Sequence, residues 1–233
     1  MHPLLPALQN GLDDLGLSLT DDQQTKLLDY MDLIAKWTKV YNLTAVRDAQ
    51  EMLTHHLLDS LAVVAPLRRE LAQLALPVLE PAPKPDAVVN AAAAPSRFSL
   101  LDVGAGAGLP GIVIAITCPE AAVTCVDTVA KKAAFIQQVA ATLKLPNLKG
   151  LHARVETLTQ PYDVVCSRAF ASLLDFTTWS KAALASHGVW MAMKGKHPDQ
   201  ELAALPQSVK VFHVEQLQVP GLNAERCIVW MRG

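Results

Sequence analysis

Residues 100–116 read LLDVGAGAGLPGIVIAI: an apolar strand, a glycine turn and an apolar helix in immediate succession. A turn built as Gly104-x-Gly106-x-Gly108 lets the backbone approach a ligand closely and offers it the free amides of a helix N-terminus. The stretch therefore predicts a nucleotide-type ligand. Gly106, Gly108 and Gly111 also satisfy the G-x-G-x-x-G dinucleotide spacing, so the glycines alone leave NAD open. Asp102 tips the balance, because an acid at the end of the strand suits a cofactor with a cationic head, whereas a dinucleotide loop faces an anionic pyrophosphate. S-adenosylmethionine, with its sulfonium and ammonium, fits better. Downstream, Val123-Thr124-Cys125-Val126-Asp127 reads as a second strand ending in a carboxylate, placed to accept hydrogen bonds from both ribose hydroxyls. Taken alone, Asp127 also reads as an ordinary strand-end or cap residue.

With 233 residues, 51% of them hydrophobic, the chain has room for one large domain or one domain with a helical appendage. Pro119 and Glu120 interrupt the most apolar region, and the N-terminus has no basic flank followed by an apolar core, so a cytoplasmic protein without a membrane span is expected. The four cysteines show no C-x-x-C spacing and sit within apolar patterns, which predicts neither disulfides nor a metal site. The net charge of -2 hides an asymmetry: residues 131–196 carry nine Lys/Arg against three acids, or +6, leaving -8 for the rest. Such a basic face suits a phosphate-rich partner, although any single lysine is more often just solvated.

Along the chain, Thr20-Asp21-Asp22-Gln23 forms a capping-box pattern, and Leu27, Met31, Ile34 and Trp37 then recur at helical spacing to about Lys39. Residues 4–17 and 47–75 also read as helices, which predicts a helical lobe over 1–76. From 99 to 233 strands and helices alternate. Strands are expected at 99–103, 123–127, 148–152, 162–167, 188–194 and near 209–217 and 225–232, with helices at 109–117, 129–143, 171–186 and 198–204. The pattern predicts a wound α/β sheet with its ligand beyond the carboxyl ends of the strands. Between the two parts, 77–98 carries five prolines and reads as an extended, mobile surface connection.

Three further segments are richer in polar side chains than a core requires: 41–47 with 55–60, 154–156, and 163–170. With these included, the chain resembles the bacterial small-subunit (16S) ribosomal RNA guanine-N7 methyltransferases, the glucose-inhibited division protein B family. The resemblance rests on NLTAVRD at 42–48, HHLLDSL at 55–61, LLDVGAGAGLPG at 100–111, VDTVAKKAAFIQQV at 126–139, RVE at 154–156, DVVCSRAFASL at 163–173 and MKGK at 193–196. It covers the chain from about residue 20 to its end. It implies a seven-stranded, Rossmann-like S-adenosylmethionine-dependent methyltransferase sheet behind a small N-terminal helical lobe. The cofactor contacts it implies fall on Gly104, Leu109, Val155, Glu156 and Arg168, to which the turn adds Gly106 and Gly108 and the fold adds Asp127. The stretch at 77–98 is longer than the family's usual lead into its first strand.

Asn42 and Arg168 are expected at the reacting centre, where NLTA and the segment from His55 to Ser60 line the cleft. Asn42 and Thr44 also read as turn and cap residues, and His55 and Asp59 as an i,i+4 pair. Lys131, Lys132, Arg154, Lys194, Lys196 and His55 are expected to contact RNA. The implied partner is 16S ribosomal RNA or a small-subunit precursor, met by a monomer. Guanine N7 bears a lone pair and no proton, so its methylation requires orientation and not a general base. Three other readings remain weaker: an NAD oxidoreductase lacks a Tyr-x-x-x-Lys, a small-molecule or protein methyltransferase has no use for the basic span, and a binding module has none for the cofactor constellation.

Overall fold

The computed structural model describes residues 2–73 and 97–233. The connection expected at 77–98 lies outside the described residues, apart from its last two. Helices α1 (Leu5–Asp14) and α2 (Asp21–Tyr41) come first, then a broken helical run: α3 (Ala49–Met52), a π-helical stretch (Leu53–Leu58), α4 (Asp59–Leu61) and α5 (Val64–Gln73). The sheet region follows as β1 (Phe98–Val103), α6 (Gly111–Thr117), β2 (Ala121–Asp127), α7 (Ala130–Thr142), β3 (Leu148–His152), β4 (Tyr162–Arg168), α8 (Leu173–Ser180), β5 (Leu184–Lys194), α9 (Asp199–Ala203), β6 (Lys210–Leu217) and β7 (Arg226–Arg232).

These strands form one seven-stranded sheet in the order β3-β2-β1-β4-β5-β7-β6, the α/β fold that the alternation predicts. Strands β1 to β5 run parallel, and β7 runs antiparallel to both of its neighbours. Parallel strands covered on both faces need apolar side chains throughout, and Leu100, Leu101, Val164, Val165, Val189 and Trp190 are all buried. One apolar cluster joins Leu27, Ile34 and Leu57 of the helical lobe to Leu100, Val113 and Ile136; a second, with Leu101, Val165, Phe176 and Trp190, fills the other face. The lobe therefore shares its core with the sheet.

The capping box forms as read: the Gln23 N–H donates to the Thr20 hydroxyl at 3.2 Å, and the Thr20 N–H donates to Gln23 Oε1 at 3.0 Å. The Gln23 amide also donates to the carbonyl of Ile116 at 3.0 Å, so the same residue starts α2 and docks it on α6.

Two elements differ from expectation. The helix expected over 47–75 breaks, because Pro66 has no N–H to donate; the chain turns at 62–63 and restarts at Val64, which places Pro66 in a first turn where no donor is required. The helix expected over 171–186 ends at Ser180, and β5 begins at Leu184 instead of 188. Here pairing overrides helical propensity: Leu184 pairs with Tyr162, and a Cβ at Gly188 would lie 2.9 Å from the Tyr162 carbonyl.

Candidate active site

The glycine turn joins β1 to α6 at the carboxyl edge of the sheet. Gly104 and Gly106 sit at φ +66° and +62°, in the left-handed region that disfavours a Cβ. Their surroundings differ. A Cβ on Gly104 would meet the Phe170 ring at 2.5 Å, whereas one on Gly106 would find nothing nearer than 3.9 Å. Gly104 is thus needed for packing, and Gly106 faces open space into which a ligand fits. The turn is held from below, as the N–H groups of Gly104 and Ala105 donate to the Val126 carbonyl at 2.9 and 3.2 Å. From the helical lobe, the buried Tyr30 hydroxyl donates to the Ala107 carbonyl at 2.7 Å. Leu109 is buried and anchors the turn in the core.

Asp127 ends β2 beside this turn. Its Oδ2 accepts the Gly106 N–H at 3.0 Å and its Oδ1 the Val129 N–H at 2.8 Å, while the Lys132 ammonium lies 3.7 Å from Oδ2. The carboxylate thus joins the turn to the start of α7, and its remaining lone pairs fit ribose hydroxyls. Beyond β3, Val155 is buried against Val103 and Val126, with Glu156 exposed next to it. Both lie on the Asp127 side of the turn.

Asp102 corrects the charge argument drawn from sequence. It is fully buried, its Oδ2 accepts the Gly111 N–H at 2.8 Å, and burial pushes its pKa up to about 7. The carboxyl group fastens the first turn of α6 and presents nothing to a cationic cofactor. The open space at Gly106 and the carboxylate of Asp127 suit a nucleoside-type ligand at this edge.

The second half of the site forms where β4 ends. Arg168 donates through Nη1 to Asp59 Oδ2 at 2.8 Å and to the His55 carbonyl at 3.2 Å, joining the sheet to the π-helical stretch. Arg226 donates through Nε to the other oxygen of Asp59, also at 2.8 Å. Asp59 is therefore claimed by two arginines, and the expected His55–Asp59 pair does not form, since a π-helical stretch shifts the i,i+4 register. His56 turns the other way: its Nε2 lies 2.6 Å from the Thr44 hydroxyl, and burial, followed by the Arg168 charge, lowers its pKa. Both effects favour the neutral ring.

Asn42 caps α2 in a left-handed conformation, with its Oδ1 accepting from Arg47 Nη2 at 2.8 Å. The cap reading accounts for it, and Val46 of the same loop reaches the cleft. A pocket of about 460 Å³ opens here, lined among others by Val46, His55, His56, Asp59, Arg168 and Arg226. Ala169 and Ala171, at φ +54° and +36°, hold the turn after β4 in a strained form that lays Phe170 on the glycine turn. A larger cavity of about 980 Å³ lies at the opposite edge, where β2 and β3 begin, away from these groups.

Among the expected RNA contacts, Lys131, Arg154, Lys196 and His55 are exposed, and Lys131 covers the Tyr41 ring at 5.3 Å. Lys194 is instead paired with Glu201 at 2.7 Å. Sequence reading missed Arg226, Tyr30 and the true partners of Asp59. Only the antiparallel direction of β7, which brings the start of that strand to the ligand edge, would have pointed to Arg226.

A family model described as rRNA small subunit methyltransferase G matches residues 23–75 and 86–229. The chain belongs to that family. It is 68% identical to the ribosomal RNA small subunit methyltransferase G of Polaromonas sp. JS666, over 97% of this chain and 92% of that one. With the protein of the same name from Albidiferax ferrireducens the identity is 65%, over 100% and 98%. Solved methyltransferases of similar fold also match this chain at low identity. A SAM-dependent methyltransferase from Aquifex aeolicus superposes with a TM-score of 0.51 at 14% identity, covering 74% of this chain and 92% of that one. The glycopeptide N-methyltransferase MtfA, solved with sinefungin, gives 0.50 at 10% identity, covering 57% and 79%.

Proposed function

We propose that this chain methylates N7 of one guanine in 16S ribosomal RNA, in the cytoplasm, with S-adenosylmethionine as the methyl donor. The bound cofactor supplies an electrophilic methyl group on a sulfonium. Gly104, Gly106, Gly108 and Leu109 would hold it along the turn, Asp127 at the ribose, Val155 and Glu156 at the adenine end, and Arg168 where cofactor and substrate meet.

The observation that carries the guanine-N7 reading is that the buried Asp59 and half-buried His56 of the Arg168 pocket, its candidate bases, are both engaged, leaving only the exposed ring of His55 at its rim. Asp59 is locked between two guanidiniums, and the His56 ring is hydrogen-bonded to Thr44. Transfer to an exocyclic amine or a hydroxyl needs a proton acceptor; transfer to N7 needs none. What remains for the protein is to hold N7 in line with the methyl group, a contribution from orientation and preorganised charge. Arg168 serves this by addressing O6 or a phosphate while leaving N7 free. Asn42 and Thr44 contribute by shaping the loop that brings Val46 to the pocket.

The target must be unpaired or extruded, because the major groove of an RNA helix is too deep and narrow to admit a side chain. Lys131 and Lys132 sit in the first turn of α7, where cations oppose the helix dipole. Lys132 is accounted for in part by the Asp127 carboxylate, whereas the exposed Lys131 is offered to RNA, and Arg154, Lys196 and His55 extend the same edge. The test is the pH profile of single-turnover methyl transfer to 16S RNA. A rate nearly flat around neutrality is expected; a rate that climbs with pH through the titration of one group would contradict transfer to N7.

A further inference from the structure

A buried carboxylate needs one cation to compensate it, and Asp59 has two. Its side chain is 3% exposed and each of its oxygens accepts from a different arginine, Arg168 and Arg226. Had the arrangement only to neutralise Asp59, one guanidinium would suffice, and the second would be an added desolvation cost. The surplus positive charge stands at the wall of the pocket, with the Arg168 and Arg226 side chains only 20% and 25% exposed. Lys194, the other cation there, is already spent on Glu201.

The donor inventory points the same way. A guanidinium carries five N–H groups. Arg168 uses Nη1 for Asp59 and the His55 carbonyl; Arg226 uses Nε for Asp59 and Nη1 for the Glu225 carbonyl. Among the described residues, Nη2 of both arginines has no partner. Two guanidiniums held on one carboxylate, each with unspent donors, match the oxygens of a phosphodiester. A fork aimed at the guanine edge instead would occupy N7, the atom that must stay free.

Resting on the reading of the chain as an RNA methyltransferase, we propose that Arg226 and Arg168, fixed as a pair by Asp59, grip the phosphodiester of the nucleotide that enters the pocket. Asp59 is then a positioning residue for both. Arg226 reaches the site because β7 is antiparallel: Cys227 pairs with Lys194, which sets the start of β7 beside the end of β5.

The test uses the full chain with S-adenosylmethionine and 16S RNA, comparing wild type, Arg226→Gln and Arg226→Lys for KM of the RNA against salt and for cofactor affinity. Arg226→Gln is expected to raise KM about 10-fold and to make the salt dependence shallower by roughly one phosphate, with cofactor affinity unchanged. Arg226→Lys keeps the charge and hence the wild-type salt slope, yet raises KM several-fold, since one ammonium cannot hold Asp59 and a phosphate in fork geometry. Wild-type KM in Arg226→Lys, a wild-type slope in Arg226→Gln, or a parallel fall in RNA affinity, cofactor affinity and thermal stability would overturn the proposal. If the wild-type chain methylated neither 16S RNA nor the small subunit, the fault would lie with the enzymatic reading, because the comparison of variants presupposes that activity.

Discussion

On the sheet side of the cleft, the glycine turn is held by backbone groups: Gly104 and Ala105 donate to Val126, and Gly106 donates to the carboxylate that ends β2. On the helical side, the wall is held by side chains gripping one another, Thr44 with His56, Arg47 with Asn42, and two arginines with Asp59. A backbone cradle has one shape, set by parallel strands that are buried on both faces, and it suits a small ligand that is the same in every turnover. Side-chain contacts drawn from a π-helical stretch, a loop and two strand ends present charged and polar groups outward, which suits a polymer that meets the wall from solvent. Each wall thus presents the groups its ligand calls for.

If that division holds, a change on one side should spare the other. The largest effect is expected for Gly106→Val, which adds a β-branched side chain at positive φ and fills the open space before the turn. S-adenosylmethionine affinity should fall by roughly 100-fold or more, a cost of about 3 kcal/mol, while RNA binding stays near wild type. Calorimetric titration of both ligands reads this directly, and retained cofactor affinity would remove the turn from the site.

The surface lysines sharpen the comparison with a smaller effect. Lys131→Glu should weaken 16S RNA about 3–10-fold at low salt, with the difference shrinking as salt rises, and leave the cofactor unaffected. Lys132→Glu should weaken both ligands, because its ammonium lies 3.7 Å from the Asp127 carboxylate. Equal behaviour of the two variants in filter binding and calorimetry would mean that the start of α7 is no boundary between the walls.

How legible each wall was in the sequence follows from the same difference. Glycines, caps and strand ends act over a few residues, so the turn at 104–108, the cap at Thr20 and Asp127 at the end of β2 could all be read in place. Asp102 stood in the right motif with the wrong role, because spacing carries no information about which way a strand residue faces, and its side chain lies under the turn instead of before it. The helical wall was opaque. Asp59 finds its partners 109 and 167 residues away, and a regular helix would have offered it His55 instead. Arg226 was hidden by chain direction: reading strands for what stands at their carboxyl ends passes over the one strand that runs backwards. β5 began early for a related reason, since its pairing with β4 outweighed the helical appearance of the residues after Ser180.

The measurement that bears most directly on the account is the chemical state of one guanine in cells. N7-methylguanine carries a positive ring that opens under reduction and then cleaves with aniline. Small-subunit RNA from cells lacking this chain should lose a single aniline-sensitive guanine, and the wild-type gene should restore it. Persistence of that cleavage in the deletion strain, or transfer of label to a ribose or a protein by the purified enzyme, would contradict the assignment.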